Sequence, residues 1–294
     1  MNKGKVVNIA LVGAGGFAER YRHRYTQIPG ARLALVVASR EQSARSAAEE
    51  LNVEKWSTDF EDALAPEIDI IDIGTPNHLH KEQAIKAMEA GKHIIVQKPI
   101  APSIEDGEAM VEVARRTGVK ASRYMNMLEN PLYHDIKRMI KPGCLGKIAN
   151  VYCRGAARGG DKKAPEGWRN SLEKTGGGAF VQKTLHFLDL AQWILEDRIC
   201  RVAAFSKNRM CPNIAGDDAT SAACEFNSGV LGSLEASYVS APHMIAVYGT
   251  KGYVVTLAGK TFNIQLDDPY DGEVIHYDRP GELLSFTYDF LDAK

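Results

Sequence analysis

The 294-residue sequence is poor in cysteine pairs: Cys144, Cys153, Cys200, Cys211 and Cys224 are odd in number and form no Cys-x-x-Cys. That argues against a disulfide framework or a zinc site and fits reduced thiols in a cytosolic compartment. The eight histidines show no His-Glu-x-x-His spacing, and His78-Leu79-His80 lacks carboxylate or cysteine company, so no metal is expected. No apolar run approaches membrane-spanning length, and Met1–Lys5 leads straight into apolar sequence without a signal-peptide core. A cytoplasmic protein is expected. Charge of one sign is also lacking: the formal net charge is −1, which gives no reason to expect nucleic acid or an anionic membrane as partner. Internal repeats and low-complexity segments are absent.

What is present is an ordinary globular composition, 45% hydrophobic and 25% charged, in a chain long enough for two domains. The stretch that organises the chain is Asn8–Arg20. An apolar run over Val6–Val12 reads as a strand buried on both faces. It meets Gly13-Ala14-Gly15-Gly16, and a helical pattern opens at Phe17. This is Gly-x-Gly-x-x-Ala between a strand and a helix, the context in which the motif is informative. Gly13 permits the tight turn, Gly15 lets backbone approach a pyrophosphate, and Ala18 keeps helix close to strand. The free N–H groups of that helix then face an anion.

Strand and helix patterns alternate up to Val119–Met125, with helices at Glu41–Leu51, Phe60–Leu64, Lys81–Ala90 and from Ser103 to Thr117. This spacing implies an α/β domain with a doubly wound parallel sheet, assigned to residues 1–128. Near residue 130 the rhythm changes. Leu132–Ile140 reads as a helix and Phe180–Leu195 as the one long helix. Short strands follow, with turns at Asn227-Ser228-Gly229 and Thr250-Lys251-Gly252. Residues 129–294 are therefore expected to form an α+β domain with an open, mostly antiparallel sheet. The last residues, Tyr288–Lys294, read as the beginning of a helix.

A dinucleotide fold that takes NAD normally ends its second strand on a carboxylate, roughly 20 residues past the glycines. Here that point reads Ala38-Ser39-Arg40. A hydroxyl and a guanidinium suit a 2′-phosphate, so NADP is favoured over NAD. The alternative keeps Arg40 solvated at a helix start, with Glu41 taking the ribose hydroxyl.

Further landmarks occur in order: Gly74-Thr75-Pro76-Asn77-His78-Leu79-His80, Gln97-Lys98-Pro99, Trp168-Arg169, and Gly176-Gly177-Gly178-Ala179-Phe180 with His186 and Asp189 beyond. With the opening glycine motif, and with Gly216-Asp217-Asp218 later, this set resembles the Gfo/Idh/MocA family, the glucose–fructose oxidoreductase and inositol dehydrogenase group. The resemblance implies a nicotinamide cofactor held by Gly13, Gly15, Gly16, Phe17, Ser39 and Arg40. The loop of Thr75, Pro76, Asn77 and His80 would lie by its pyrophosphate and ribose, and Gln97 and Lys98 would complete that set. It further implies that Lys98 reaches the reaction centre, that His186 is the acid/base, and that the second sheet makes homodimer or homotetramer contacts. The amino group of Lys98 and the imidazole of His186 are then expected to converge over the dinucleotide.

Three positions depart from the family pattern. Gln97 stands where Glu usually precedes Lys-Pro, and Gln182 and Thr184 stand where Asp and Gly usually precede the histidine. On α-helical spacing, residues 182, 186 and 189 share one face. Gln182, Lys183, Trp168 and Arg169 are candidates for positioning substrate. Lys183 as a solvated lysine and Trp168 as a core residue remain rival readings.

Oxidising a secondary alcohol needs a hydride acceptor, a base near neutral pKa and a stabiliser of the developing alkoxide. A nicotinamide, His186 and Lys98 match those needs. The expected substrate is a sugar, sugar derivative or cyclitol. Two other readings stand beside it. One is a lyase or glycoside-cleaving enzyme that recycles a bound NAD(P). The other is a non-catalytic dinucleotide-binding sensor.

Overall fold

The computed structural model describes residues 6–15, 25, 27–162, 166–258 and 260–287. Gly16, Phe17, Ala18, the helix expected to open there and the helix start at 288–294 lie outside the described residues. The chain divides into two compact units. The first is Met1–Tyr124 with Glu173–Gly176, and the second is Met125–Leu172 with Gly177–Lys294.

The first unit carries β1 (Val7–Val12), β2 (Ala31–Val37), α1 (Glu41–Glu50), β3 (Trp56–Ser57), β4 (Ile70–Ile73), α2 (His80–Glu89), β5 (His93–Gln97), α3 (Ile104–Thr117) and β6 (Ala121–Tyr124). Its six strands run in the order β3-β2-β1-β4-β5-β6, every pair parallel. The order reverses beside β1, and open α/β sheets bind ligands at such a switch point, outside the carboxyl ends of the strands. Successive residues of β1 enter different cores: Ala10 and Val12 join one cluster, Ile9 and Leu11 the other. A strand buried on both faces needs an unbroken apolar run, which is what Val7–Val12 supplies apart from Asn8. Each such side chain contributes about 1.5–3 kcal/mol by leaving water. The helix ends follow their capping residues. The Ser103 hydroxyl accepts from the Asp106 N–H at the start of α3, and Gly118 closes it in the left-handed conformation.

The second unit opens with α4 (Pro131–Ile140) and β7 (Ile148–Ala156). A one-turn helix, α5 (Leu172–Thr175), ends in the part of the chain that belongs to the first unit. Then come α6 (Leu185–Leu195) and the strands β8 (Ile199–Lys207), β9 (Ala219–Phe226), β10 (Leu231–Ser237), β11 (Met244–Gly249), β12 (Gly252–Leu257), β13 (Thr261–Leu266), β14 (Tyr270–Asp271), β15 (His276–Tyr277) and β16 (Leu284–Thr287). Eight of these strands form one sheet in the order β16-β13-β12-β11-β7-β10-β9-β8. All its pairs are antiparallel except β7–β10. Leu132, Ile136 and Met139 of α4 and Leu190 and Ile194 of α6 bury against Val151, Leu234 and Phe262 of the sheet. The other face alternates outward, as the burial pattern of β9 shows.

The long helix expected over Phe180–Leu195 is two windings: a π-helical turn over Phe180–Thr184, then α6. Thr184 is fully buried there and its hydroxyl donates to the Glu235 carbonyl at 2.7 Å. The α-helical spacing that puts residues 182 and 186 on one face therefore does not hold across this turn. It holds from His186 to Asp189.

Candidate functional site

In the first unit, the candidate residues lie where β1, β4 and β5 end. Gly13 has φ +100°, and a Cβ there would stand 2.6–2.8 Å from the backbone of Gly74 and Thr75. Only glycine admits the loop after β4 so close to the loop after β1. The Gly13 N–H donates to the Val37 carbonyl, and the Gly74 N–H to that of Val12. At Gly15 an added Cβ would meet no atom within 4 Å among the described residues, its chain neighbours aside. A backbone left bare in this way is what close approach of a pyrophosphate requires.

Ser39 and Arg40 are exposed between β2 and α1, with Glu41 the first helical residue. Within the loop after β4, the Thr75 hydroxyl donates to Gln83 Oε1 at 2.6 Å, and Asn77 Nδ2 donates to the Thr175 carbonyl at 2.9 Å. Pro76 precedes a short 3-10 turn over Asn77–Leu79. His80 lies beneath this loop, fully buried, with both ring nitrogens against backbone carbonyls. Burial pulls its pKa below the ordinary histidine value, and the carbonyls of Thr75, Pro99 and Ile100 pull the other way. The His78 pKa is lowered too, by burial first and then by the charge of Lys174.

Gln97 ends β5, is buried, and its Nε2 has no hydrogen-bond partner among the described residues; His78 Nδ1 is in the same condition. A buried donor without an acceptor costs about 1–3 kcal/mol, so Gln97 Nε2 is suited to an acceptor on a bound molecule. Lys98 follows it, half-buried, at the carboxyl edge of the sheet. A glycine turn at the switch point, two buried nitrogens without partners among the described residues and a lysine beside Gln97 fit a nicotinamide dinucleotide.

In the second unit, the candidate residues gather at the start of the helix that carries His186. The Gly-Gly-Gly run and the Gly216-Asp217-Asp218 loop interlock. A Cβ on Gly178 would lie 2.0 Å from the Asp217 carbonyl oxygen. Asp217 Oδ2 accepts from the Phe180 N–H at 2.9 Å and from the Thr220 hydroxyl at 2.8 Å, so this carboxylate fastens the helix start. Asp218 Oδ2 accepts from the N–H groups of Arg209, Met210 and Cys211, which holds the loop itself. His186 is half-buried, with Nδ1 3.2 Å from Met125 Sδ. Gln182 and Lys183 are half-buried on the π turn, and Lys183 Nζ stands 5.8 Å from the centroid of the Tyr238 ring. The Lys183 charge adds to burial in lowering the His243 pKa. Trp168 is half-buried outside the core clusters, with the Arg169 guanidinium stacked 4.3 Å over its ring.

The roles of Asp217, Thr184 and Gln83 were not read from the sequence. Gly216-Asp217-Asp218 was visible as a family mark, but the carboxylate's partner 37 residues earlier was not. Among the described residues no group of three or more His, Cys, Asp or Glu side chains is placed to hold a metal, and no helix is long and apolar enough to cross a membrane.

A parallel sheet with a glycine turn at its switch point and a lysine on its carboxyl edge defines a dinucleotide-binding domain of the oxidoreductase kind. Residues 7–125 match the Gfo/Idh/MocA oxidoreductase model, an NAD-binding Rossmann fold, and residues 133–255 match the Gfo/Idh/MocA C-terminal domain. The chain belongs to the Gfo/Idh/MocA family. It is 34% identical to scyllo-inositol 2-dehydrogenase (NAD(+)) of Bacillus subtilis (strain 168) over 256 residues, 84% of this chain and 73% of that protein. It is 32% identical to 2,7-anhydro-N-acetylneuraminate hydratase of Mediterraneibacter gnavus over 195 residues, 65% of this chain but only half of that protein. In fold it is similar to levoglucosan dehydrogenase in complex with NADH and levoglucosan, with a TM-score of 0.84 at 23% identity, covering 96% of this chain and 80% of that one.

Proposed function

We propose that the protein is an NAD(P)-dependent dehydrogenase or reductase acting on a secondary alcohol or ketone of a sugar, sugar derivative or cyclitol. The observation that carries this reading is the carboxyl edge of the first sheet, which holds the glycine turn after β1 and, at the end of β5, Gln97, whose Nε2 has no partner among the described residues, followed by Lys98. Relatives named for scyllo-inositol, levoglucosan and D-apiose supply the substrate class.

When bound, the nicotinamide supplies the hydride acceptor or donor. The chain does the rest. Gly13 and Gly15, with Thr75, Pro76 and Asn77, would hold the pyrophosphate and ribose side of the cofactor. Gln97 Nε2 would donate to it. The Lys98 ammonium donates to the substrate oxygen and stabilises the alkoxide as the O–H proton leaves. His186 takes that proton in oxidation and returns it in reduction. Gln182, Lys183, Trp168 and Arg169 orient the hydroxyl groups. Gln182 is an amide, so it hydrogen-bonds substrate without drawing a proton or raising the basicity of His186.

Two finer points belong to the same reading. Ser39 and Arg40 at the end of β2, with no carboxylate at 38–40, favour NADP over NAD. The outward face of the eight-stranded sheet, with Phe205 83% and Leu231 59% exposed beside Tyr248, suits a second copy of the chain.

The test is to titrate NADPH and NADH by fluorescence and then supply a panel of polyols with the preferred oxidised cofactor. Reduced cofactor should accumulate with at least one sugar or cyclitol, and NADPH should bind tighter than NADH. Tighter NADH binding would overturn the cofactor preference. Cofactor binding without any accumulation would overturn the dehydrogenase reading.

A further inference from the structure

His80 is a buried titratable group that the proposed chemistry leaves unused. It opens α2 with no exposed surface. Its Nε2 stands 2.8 Å from the Thr75 carbonyl oxygen and its Nδ1 2.9 Å from the Pro99 carbonyl oxygen. Those carbonyls lie on the loops leaving β4 and β5, neighbouring parallel strands in register from Ile70–His93 to Ile73–Val96. The ring therefore spans the gap between two loops at the carboxyl edge of the sheet, where each strand's own ladder has ended.

The two ends of this brace differ. The Thr75 end is fastened independently, by its hydroxyl on Gln83 and by Asn77 on the Thr175 carbonyl. The Pro99 end is one peptide beyond Lys98. With both ring nitrogens turned to protein carbonyls, the imidazole has no polar atom left for a ligand. A buried ring that fixes the peptide after a lysine fixes where that lysine's stem begins.

We propose that His80 is a positioning residue for Lys98, acting through the Pro99 carbonyl rather than by touching cofactor or substrate. This rests on the reading of Lys98 as the group that stabilises the alkoxide. Misplacing a reacting group by about 1 Å costs about 10²-fold in rate. Removing the brace should therefore cost activity only while Lys98 is present to be misplaced.

A double-mutant cycle on the full chain reads this directly, because groups that act as one unit lose activity non-additively. His80→Leu should lower kcat by about 10²-fold, and Lys98→Ala by about as much. In the Lys98→Ala background, His80→Leu should change kcat by less than about 3-fold, within the scatter expected of uncoupled effects. His80→Gln, whose amide nitrogen carries two N–H groups for the two carbonyls, should recover most of the rate. It also runs the same cycle if the leucine variant does not fold. A merely structural role would make the losses multiply to about 10⁴-fold, which would overturn the inference while leaving Lys98 catalytic. An unchanged rate in Lys98→Ala alone would overturn both the assignment of Lys98 and the inference built on it.

Discussion

His186 and Lys98 sit in settings with different physical demands. The imidazole is half-buried, with its Nδ1 beside the Met125 sulfur, a weak acceptor. Under the proposed function the His186 imidazole is the group that exchanges the substrate proton. The Lys98 ammonium follows a strand that ends in a rigid sheet, so little reorganisation is needed when charge develops on substrate oxygen. His186→Ala and Lys98→Ala should each lower kcat by about 10²-fold or more. Cofactor affinity in the His186 variant should be unchanged, because the glycine turn, Thr75 and Gln97 all lie in the first unit. Steady-state rates and fluorescence titration check both, and unchanged rates would remove the two assignments. At this scale the sequence was legible where a motif names a residue and its neighbours follow in order. It was silent where a bond joins distant segments. His80 could be placed in a loop motif, but that its ring faces Thr75 and Pro99 depends on β4 and β5 being neighbours.

Elements show the same division. Strands β1, β5 and β12 and helix α3 were readable to within a residue or so, because apolar runs, Ser103 and Gly118 are local signals. Strands β13 to β16 escaped: three of them have two to four residues, and Thr261–Leu266 mixes polar and apolar side chains. The π turn escaped because period counting assumes one winding throughout, and a buried Thr184 bonded to Glu235 is a tertiary fact. Asp217 shows what such anchors contribute. Asp217→Ala removes the acceptor of the Phe180 N–H and should cost about 1–2 kcal/mol of stability. Because Phe180 begins the segment that carries His186, kcat should fall while cofactor affinity stays put. Thermal melts and titration separate the two effects.

Asp135 on α4 plays the corresponding part away from the site. It is fully buried, and its carboxylate accepts from the N–H groups of Glu273, Val274 and Ile275, which holds the β14–β15 hairpin. Burial pushes its pKa up, but these N–H groups and Arg138 outweigh burial and hold it below the ordinary carboxylate value. A lowered folded pKa stabilises the fold above the unfolded value of about 3.9, and that stability is lost as pH falls through the folded value. Asp135→Asn should therefore lose most against the native chain near neutral pH, and the gap between their melting temperatures should close under acid. A gap that widened toward low pH would contradict this.

Across the whole molecule, each unit contributes a separate kind of chemistry. The first carries a glycine turn at a topological switch point and Lys98 on the carboxyl edge of its sheet. The second offers an imidazole on a helix fastened by a carboxylate to its own sheet. The chain belongs to the Gfo/Idh/MocA family, and Gln182 stands where the family pattern often has an acidic residue. That departure left open, at the level of sequence, a reaction in which the cofactor is reduced and reoxidised within one turnover. The relatives named as dehydrogenases favour net transfer instead. The most direct measurement is to follow the hydrogen itself. A substrate from the polyol panel, deuterated at its carbinol carbon, is turned over with oxidised cofactor, and the cofactor is recovered for mass spectrometry. Net hydride transfer predicts reduced nicotinamide carrying one deuterium per product formed. Product that accumulates while the recovered cofactor stays oxidised and unlabelled would contradict it.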